Sequence, residues 1–348
     1  LGGLFLVIVK VFRTLLLLAV SSSFSRAQEN VPIVSGGAGF FGATNGGVSF
    51  FQPVLAPVLA IPLGNQWLVE SRADLREVIS REDGASGPYQ GQFFGTLEYL
   101  QLDYNATPHL TITAGRFLTP FGIFTERLSA IWINKFQDAP IITPIGTGGA
   151  YNDGFMVRGA LVSNSSYIVN YAAYFSTLST VSNLESERGA GGRAGVFLPG
   201  TRLEVGVSYR RTLEGNHSNS VGMDFSWSPH RIPLAINGEW AHSPNGYGYW
   251  LQASYRLSQL AGTHAFLGRL EPVVRMQQFV RSEAVAGDSL PRSNATRPDF
   301  GLNYYLPHEI RLNASYSREF FERGTDVNIW EYGITYRFLL PMWPGGSR

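Results

Sequence analysis

The sequence predicts an all-β fold: a transmembrane antiparallel β-barrel of sixteen strands, with one long connection folded into it as a constriction. Three observations predict it. After residue 30 the chain offers no convincing amphipathic helix, and apolar residues recur at every second position over runs of about ten residues, broken by Gly, Pro, Asn or Ser clusters. In the clearest runs the interior charges fall on the parity opposite the apolar residues, and the apolar parity is crowded with Tyr and Trp near strand ends, as in the aromatic girdles of membrane barrels. The composition agrees. Of 348 residues, 44% are hydrophobic but only 15% are charged, where about 25% is usual for soluble domains. A surface with so little charge is not all in water.

Composition also excludes several classes. A mean hydropathy of −0.01 leaves no room for a multi-helix membrane protein, whose spans each need about 20 mostly apolar residues. With no Cys, disulfide scaffolds, Cys-zinc sites, iron–sulfur clusters and thiol nucleophiles all drop out. At the N-terminus, Leu15–Val20 is an apolar core preceded by Lys10 and Arg13 and followed by the small-x-small pattern Ser25-Arg26-Ala27. Residues 1–27 read as a secretory signal cut before Gln28. The alternative, one membrane anchor over Leu4–Val20, is interrupted by Lys10 and Arg13. Without 1–27 the chain keeps 24 basic and 26 acidic residues, net −2 instead of +1. A nucleic-acid binder would need a basic excess, so no nucleic-acid partner is expected.

The strands follow in order. Spans 34–43 and 47–60 are apolar and Gly-rich, the first mostly Gly and Phe. In 66–77, Trp67, Val69, Ala73 and Leu75 oppose Glu70, Arg72, Asp74 and Arg76. Spans 92–104, 110–117, 153–163, 166–176 and 191–198 come next. In 202–212, Leu203, Val205, Val207 and Tyr209 oppose Glu204 and Arg210, and in 218–228 Val221, Met223, Phe225 and Trp227 oppose Asp224. In 233–242, Leu234, Ile236 and Trp240 oppose Glu239, and in 247–257 alternate Tyr, Leu and Ala residues oppose Gln252 and Arg256. After 268–281 and 296–305, span 309–318 sets Ile310, Leu312, Ala314 and Tyr316 against Arg311. Span 328–338 sets Trp330, Tyr332, Ile334, Tyr336 and Phe338 against Glu331 and Arg337. Arg211 and Arg318 depart from the rule only at strand ends. The count of sixteen is even, which puts both ends of the barrel on one side; without a hairpin at the weakest spans, 34–43 and 191–198, it would be fourteen. Short turns (62–65, 105–109, 163–166, 198–201, 228–232, 305–308) alternate with longer connections (78–91, 117–152, 177–190, 282–296), the expected asymmetry of such barrels. The turn near 258–267 is long for its side. The barrel is expected over 28–338, with 339–348 as a C-terminal extension.

The run Gly115-Arg116-Phe117-Leu118-Thr119-Pro120-Phe121-Gly122, continuing through Glu126-Arg127 to Phe136-Gln137-Asp138-Ala139-Pro140, is similar to the region after the fifth strand in the phosphate-selective porin O and P family. Tyr336-Arg337-Phe338 resembles the aromatic-ended last strand that the outer-membrane assembly machinery reads. The resemblance implies a porin of the bacterial outer membrane, in contact with its lipid, and a homotrimer. Two features depart from the family: residues follow Phe338, and Lys135 is the only Lys after the signal, whereas the family's phosphate selectors rely on many lumenal Lys and Arg.

The residues themselves mark 117–152 as functional, because a loop of this length without secondary structure is usually functional or disordered. Phe117, Phe121, Phe124, Trp132 and Phe136 argue against disorder, since such aromatics seek burial. In a wide barrel the place to bury them is inside. The expected constriction residues are Arg116, Glu126, Arg127, Lys135 and Asp138, facing wall residues Arg72, Asp74, Arg76 and Arg158, since opposed charges set a selectivity barrier. The alternative is an outer surface loop with solvated charges. No two of the six His sit at ligand spacing on one strand face, so no metal or other cofactor is expected. Asp224, Glu239 and His242 are the candidate group for an enzyme near the outer rim, yet nothing marks a nucleophile and there is no Gly-x-Ser-x-Gly elbow. The expected function is passive diffusion of small hydrophilic solutes, with anions as a candidate class. The alternatives are a phosphate or oxyanion channel, a barrel enzyme, and a structural or adhesive surface protein.

Overall fold

Sixteen antiparallel strands close into one barrel in the computed structural model, each bonded to its neighbours in sequence and β1 to β16. The structure describes residues 31–341 apart from 82–86, 148–150, 178, 180–183, 185, 216, 263, 284 and 286. The expected signal 1–27 and residues 342–348 lie outside the described residues.

The strands are β1 (Ile33–Asn45), β2 (Val48–Leu63), β3 (Trp67–Arg81), β4 (Tyr89–Thr107), β5 (Leu110–Leu118), β6 (Tyr151–Ser163), β7 (Ile168–Thr177) and β8 (Gly189–Leu198). They continue as β9 (Leu203–Thr212), β10 (Asn219–Trp227), β11 (Leu234–Ser243), β12 (Gly246–Tyr255), β13 (Leu270–Arg281), β14 (Ala295–Leu306), β15 (Ile310–Phe321) and β16 (Val327–Pro341). All sixteen expected spans are present, including the two weakest, and the fourteen-strand alternative is excluded. Several strands run further than expected. β4 extends from 92–104 to Tyr89–Thr107, and β3 reaches Arg81 because Tyr89 and Gln90 pair with Arg81 and Ser80. β16 continues past Phe338, since Ser35, Val34 and Ile33 of β1 supply partners for Leu339, Leu340 and Pro341. The first three residues of the expected extension are therefore barrel wall.

The polarity of the wall is inverted relative to a soluble domain. In β9, Val205, Val207 and Tyr209 are exposed while Glu204, Ser208 and Arg210 are buried. In β16, Trp330, Tyr332, Ile334 and Tyr336 are exposed while Glu331 and Thr335 are buried. Aromatic pairs collect on the outside at both ends: Trp67 with Tyr104 (ring centroids 4.4 Å apart) and Phe266 with Tyr304 at one end, Tyr316 with Trp330 (4.5 Å) at the other. Hydrocarbon offers no hydrogen bonds, so a spanning sheet must close on itself, and a closed sheet of about 16 strands leaves an aqueous interior.

Inside, charges pair. Arg193 on β8 bridges Asp224 on β10 (2.5 Å) and Glu204 on β9 (3.0 Å). Arg275 on β13 and Arg297 on β14 share Asp299, both at 2.7 Å. The β12–β13 turn, 256–269, is ordered by two short 3₁₀ turns, Leu257–Leu260 and Leu267–Arg269.

Val207, at the middle of β9, is 52% exposed. Val207→Arg is expected to destabilise the folded barrel in vesicles by roughly 2–4 kcal/mol, the usual loss for a midplane Arg on the lipid face, as measured by denaturant unfolding. An unchanged midpoint would mean that this face does not meet lipid.

Candidate functional site

Among the described residues, the β5–β6 connection, 119–150, carries seven buried hydrophobic side chains, from Phe121 to Ile145. Just before it, at the end of β5, Phe117 is fully buried against Met156 of β6 and Tyr174 of β7. Two short helical turns order it: a π-helical turn at Phe124–Leu128 and α1 at Thr143–Thr147. Phe121, Ile123, Phe124, Ile142 and Ile145 form one cluster with Ala241, Trp250 and Phe279 of β11, β12 and β13. The edge of Phe124 meets Trp250 at 6.3 Å between centroids.

A single carboxylate fixes the start of this segment. Glu239 of β11 accepts the backbone N–H groups of Ile123 and Phe124 (2.6 Å for Phe124) and the indole N–H of Trp250 (3.0 Å). The neighbouring Gly122 N–H donates to the Ser208 hydroxyl of β9 at 3.0 Å. Gly122 has φ +65°, and a Cβ there would lie 2.4 Å from the Glu239 carboxylate. Glycine is thus needed both for the left-handed turn and for the close approach. Further on, Arg72 of β3 donates to the Ser129 hydroxyl at 3.1 Å, and Arg311 of β15 donates to the Ile131 carbonyl at 2.8 Å. Trp132 packs so closely on Gly37 of β1 that a Cβ at Gly37 would come within 2.7 Å of its ring. Ile141 N–H donates to Gln277 of β13, and the Ser220 hydroxyl of β10 donates to the Ile145 carbonyl.

Each charge expected at the constriction has a partner. Lys135 bonds both carboxylate oxygens of Glu271 on β13 at 2.8 Å and the Tyr305 hydroxyl at 3.0 Å. Arg127 pairs with Glu204 of β9 at 2.6 Å, and Asp138 pairs with Arg297 of β14 at 2.9 Å. Glu126 meets Arg158 of β6 at 3.2 Å. Arg72 is paired within the wall to Glu98, and Arg76 to Asp74. Arg116, beside Gly115 (φ +115°), turns to Asp153 of β6 at 2.9 Å and to the Leu97 carbonyl at 2.8 Å, with its guanidinium over the Tyr151 ring. These partners belong to the wall. Sequence reasoning missed Glu204, Glu239, Glu271, Arg297 and Arg311 as the wall's partners for the connection. Their inward parity was readable; which loop group each would meet was not.

The alternative acid–base group does not assemble. Asp224 is held by Arg193 and Glu239 by the connection. His242 sits on the opposite, exposed parity between the Trp240 and Tyr247 rings. Among the described residues no three His, Cys, Asp or Glu stand close enough to hold a metal.

No protein-family model matches the chain, and no curated protein matches it in sequence. Solved structures match its fold. Salmonella typhi OmpF aligns with 14% identity and a TM-score of 0.60 over 90% of this chain and 99% of that one. Pseudomonas aeruginosa OccK5 aligns with 10% identity and a TM-score of 0.55 over 90% and 99%. An anion-selective porin from Comamonas acidovorans aligns with 11% identity and a TM-score of 0.50 over 88% and 98%. The chain has the barrel fold of these structures, one of which is described as an anion-selective porin.

Glu239→Ala would strip the acceptor from three N–H groups, each costing about 1–3 kcal/mol when buried and unpaired. Amide hydrogen exchange at Ile123 and Phe124 is expected to accelerate by about tenfold or more while that of β9 holds. Unchanged exchange at both amides would remove Glu239 as the anchor.

Proposed function

We propose that the protein is an outer-membrane porin, a water-filled channel for passive diffusion of small hydrophilic solutes. The observation that carries this reading is the inverted wall: apolar and aromatic residues outside, paired charges inside, around a closed sixteen-stranded barrel of the porin fold. The β5–β6 connection is its constriction. A segment with partners on β3, β6, β9, β11, β13, β14 and β15 of one ring reaches them all most simply from within that ring.

Selectivity follows from how the charges are matched. Lys135, Arg127 and Asp138 each face an opposite charge, so the constriction presents a mixed field in place of a ring of one sign. This favours modest ion selectivity over a phosphate trap. Anions remain the candidate class, on the resemblance of the Gly115–Gly122 run and on the neighbour described as an anion-selective porin. Export through 1–27, reading of the last strand by the assembly machinery and a homotrimer belong to the same proposal.

Planar-bilayer recordings under a KCl gradient test it. The protein is expected to conduct with a small reversal potential. Lys135→Ala, which leaves Glu271 unpaired, is expected to shift that potential toward cation preference. A barrel that carries no current contradicts the porin reading, and an unmoved reversal potential contradicts the constriction.

A further inference from the structure

One part of the inner wall does not follow the rule. On β1 and β2 the inward face is largely apolar too: Phe40 and Leu55 point outward and are exposed, while Phe41, Ala43, Val54 and Ala56 point inward and are buried, with Gln52, opposite Phe41, as the polar residue among them. Elsewhere the same parity carries Glu204, Arg275 or Glu331. Between this strip and the β5–β6 connection lies a cavity of about 190 Å³, below the roughly 300–1,000 Å³ of sites for drug-sized ligands. Its floor is Phe41, Phe50 and Val54 with Gln52 among them and, from the connection, Ile131 and Phe136.

The charged groups of the cavity differ in sign, and Gln52, Ser129 and Asn134 add uncharged polar side chains to its lining. Arg76, 38% exposed beside Asp74, supplies a guanidinium. Asp138, 44% exposed beside Arg297, and Glu331, whose carboxylate accepts from Ser315 at 2.7 Å, supply carboxylates. Gln137 adds the most telling group: its side-chain amide nitrogen is buried yet has no hydrogen-bond partner among the described residues. A buried donor left without an acceptor costs about 1–3 kcal/mol, which an acceptor on a ligand would recover.

We propose that this cavity is a binding site for one small zwitterionic solute with an apolar body, the chemistry of an apolar α-amino acid. The body lies on the Phe41–Val54 floor, its carboxylate accepts from Gln137 and Arg76, and its ammonium donates to Asp138. The proposal rests on the channel reading and names the solute class the constriction holds.

The test adds L-phenylalanine, L-serine, phenylacetate and inorganic phosphate in turn to the full-length protein conducting KCl in a planar bilayer. L-phenylalanine is expected to interrupt the current with an apparent Kd about tenfold or more below the other three, and Gln137→Leu is expected to weaken that effect about fivefold. Equal blockade by phenylacetate overturns the ammonium contact, equal blockade by L-serine overturns the apolar floor, and conduction without L-phenylalanine blockade overturns the site while the porin reading stands. If no current flows, the porin reading fails, and equilibrium dialysis of L-phenylalanine against the detergent-solubilised barrel decides the site by itself. Saturable binding weakened by Gln137→Leu supports it; absence of binding overturns it.

Discussion

The constraint on which the structure depends is that backbone N–H and C=O groups have no partner in hydrocarbon. A sheet in that medium must have no edge, so β1 has to find β16, and the pairing from Ile33–Pro341 to Asn45–Ile329 closes the ring. Closure makes the outer face the lipid face and encloses the polar parity. The scarcity of charge in the sequence follows: in this fold most of the outer surface is solvated by lipid, which charges avoid.

Enclosure then forces the interior charges to satisfy one another. Removing one partner of a buried pair is strongly destabilising, and the side chains of Arg275 and Asp299 are both fully buried. The wall solves this with shared acids, Asp299 between two arginines and Glu204 between Arg193 and Arg127. The β5–β6 connection completes the arrangement. It brings cations to Glu204 and Glu271, an acid to Arg297, and apolar side chains to Trp250 and Phe279. Its shape is a consequence of the wall's chemistry as much as of its own sequence.

Legibility in the sequence followed the same physics. Where one face meets lipid and the other water, alternation is strict, and spans such as 202–212 match the observed strand within a residue at its start. Span 34–43 was the faintest because both faces of β1 are apolar, which erases the period of two; the strand exists because β2 and β16 both pair with it. The end of β16 was hidden for a related reason, since Leu339 and Leu340 extend the wall only through partners about 300 residues away in sequence. The charged residues of the connection were identifiable, but not their partners. Lys135 with Glu271 and Asp138 with Arg297 are set by barrel closure, which no local pattern encodes.

The absence of cysteine from the sequence makes the inverted, closed wall directly measurable. Single-cysteine variants carrying a nitroxide at each position from 204 to 210, in the protein reconstituted into vesicles, report whether each site meets lipid through collisions with oxygen, which partitions into hydrocarbon. The predicted result is a period of two, with oxygen accessibility highest at Val205, Val207 and Tyr209 and low at Glu204, Gly206, Ser208 and Arg210. A flat profile, or one with the opposite phase, would contradict the fold and with it the channel.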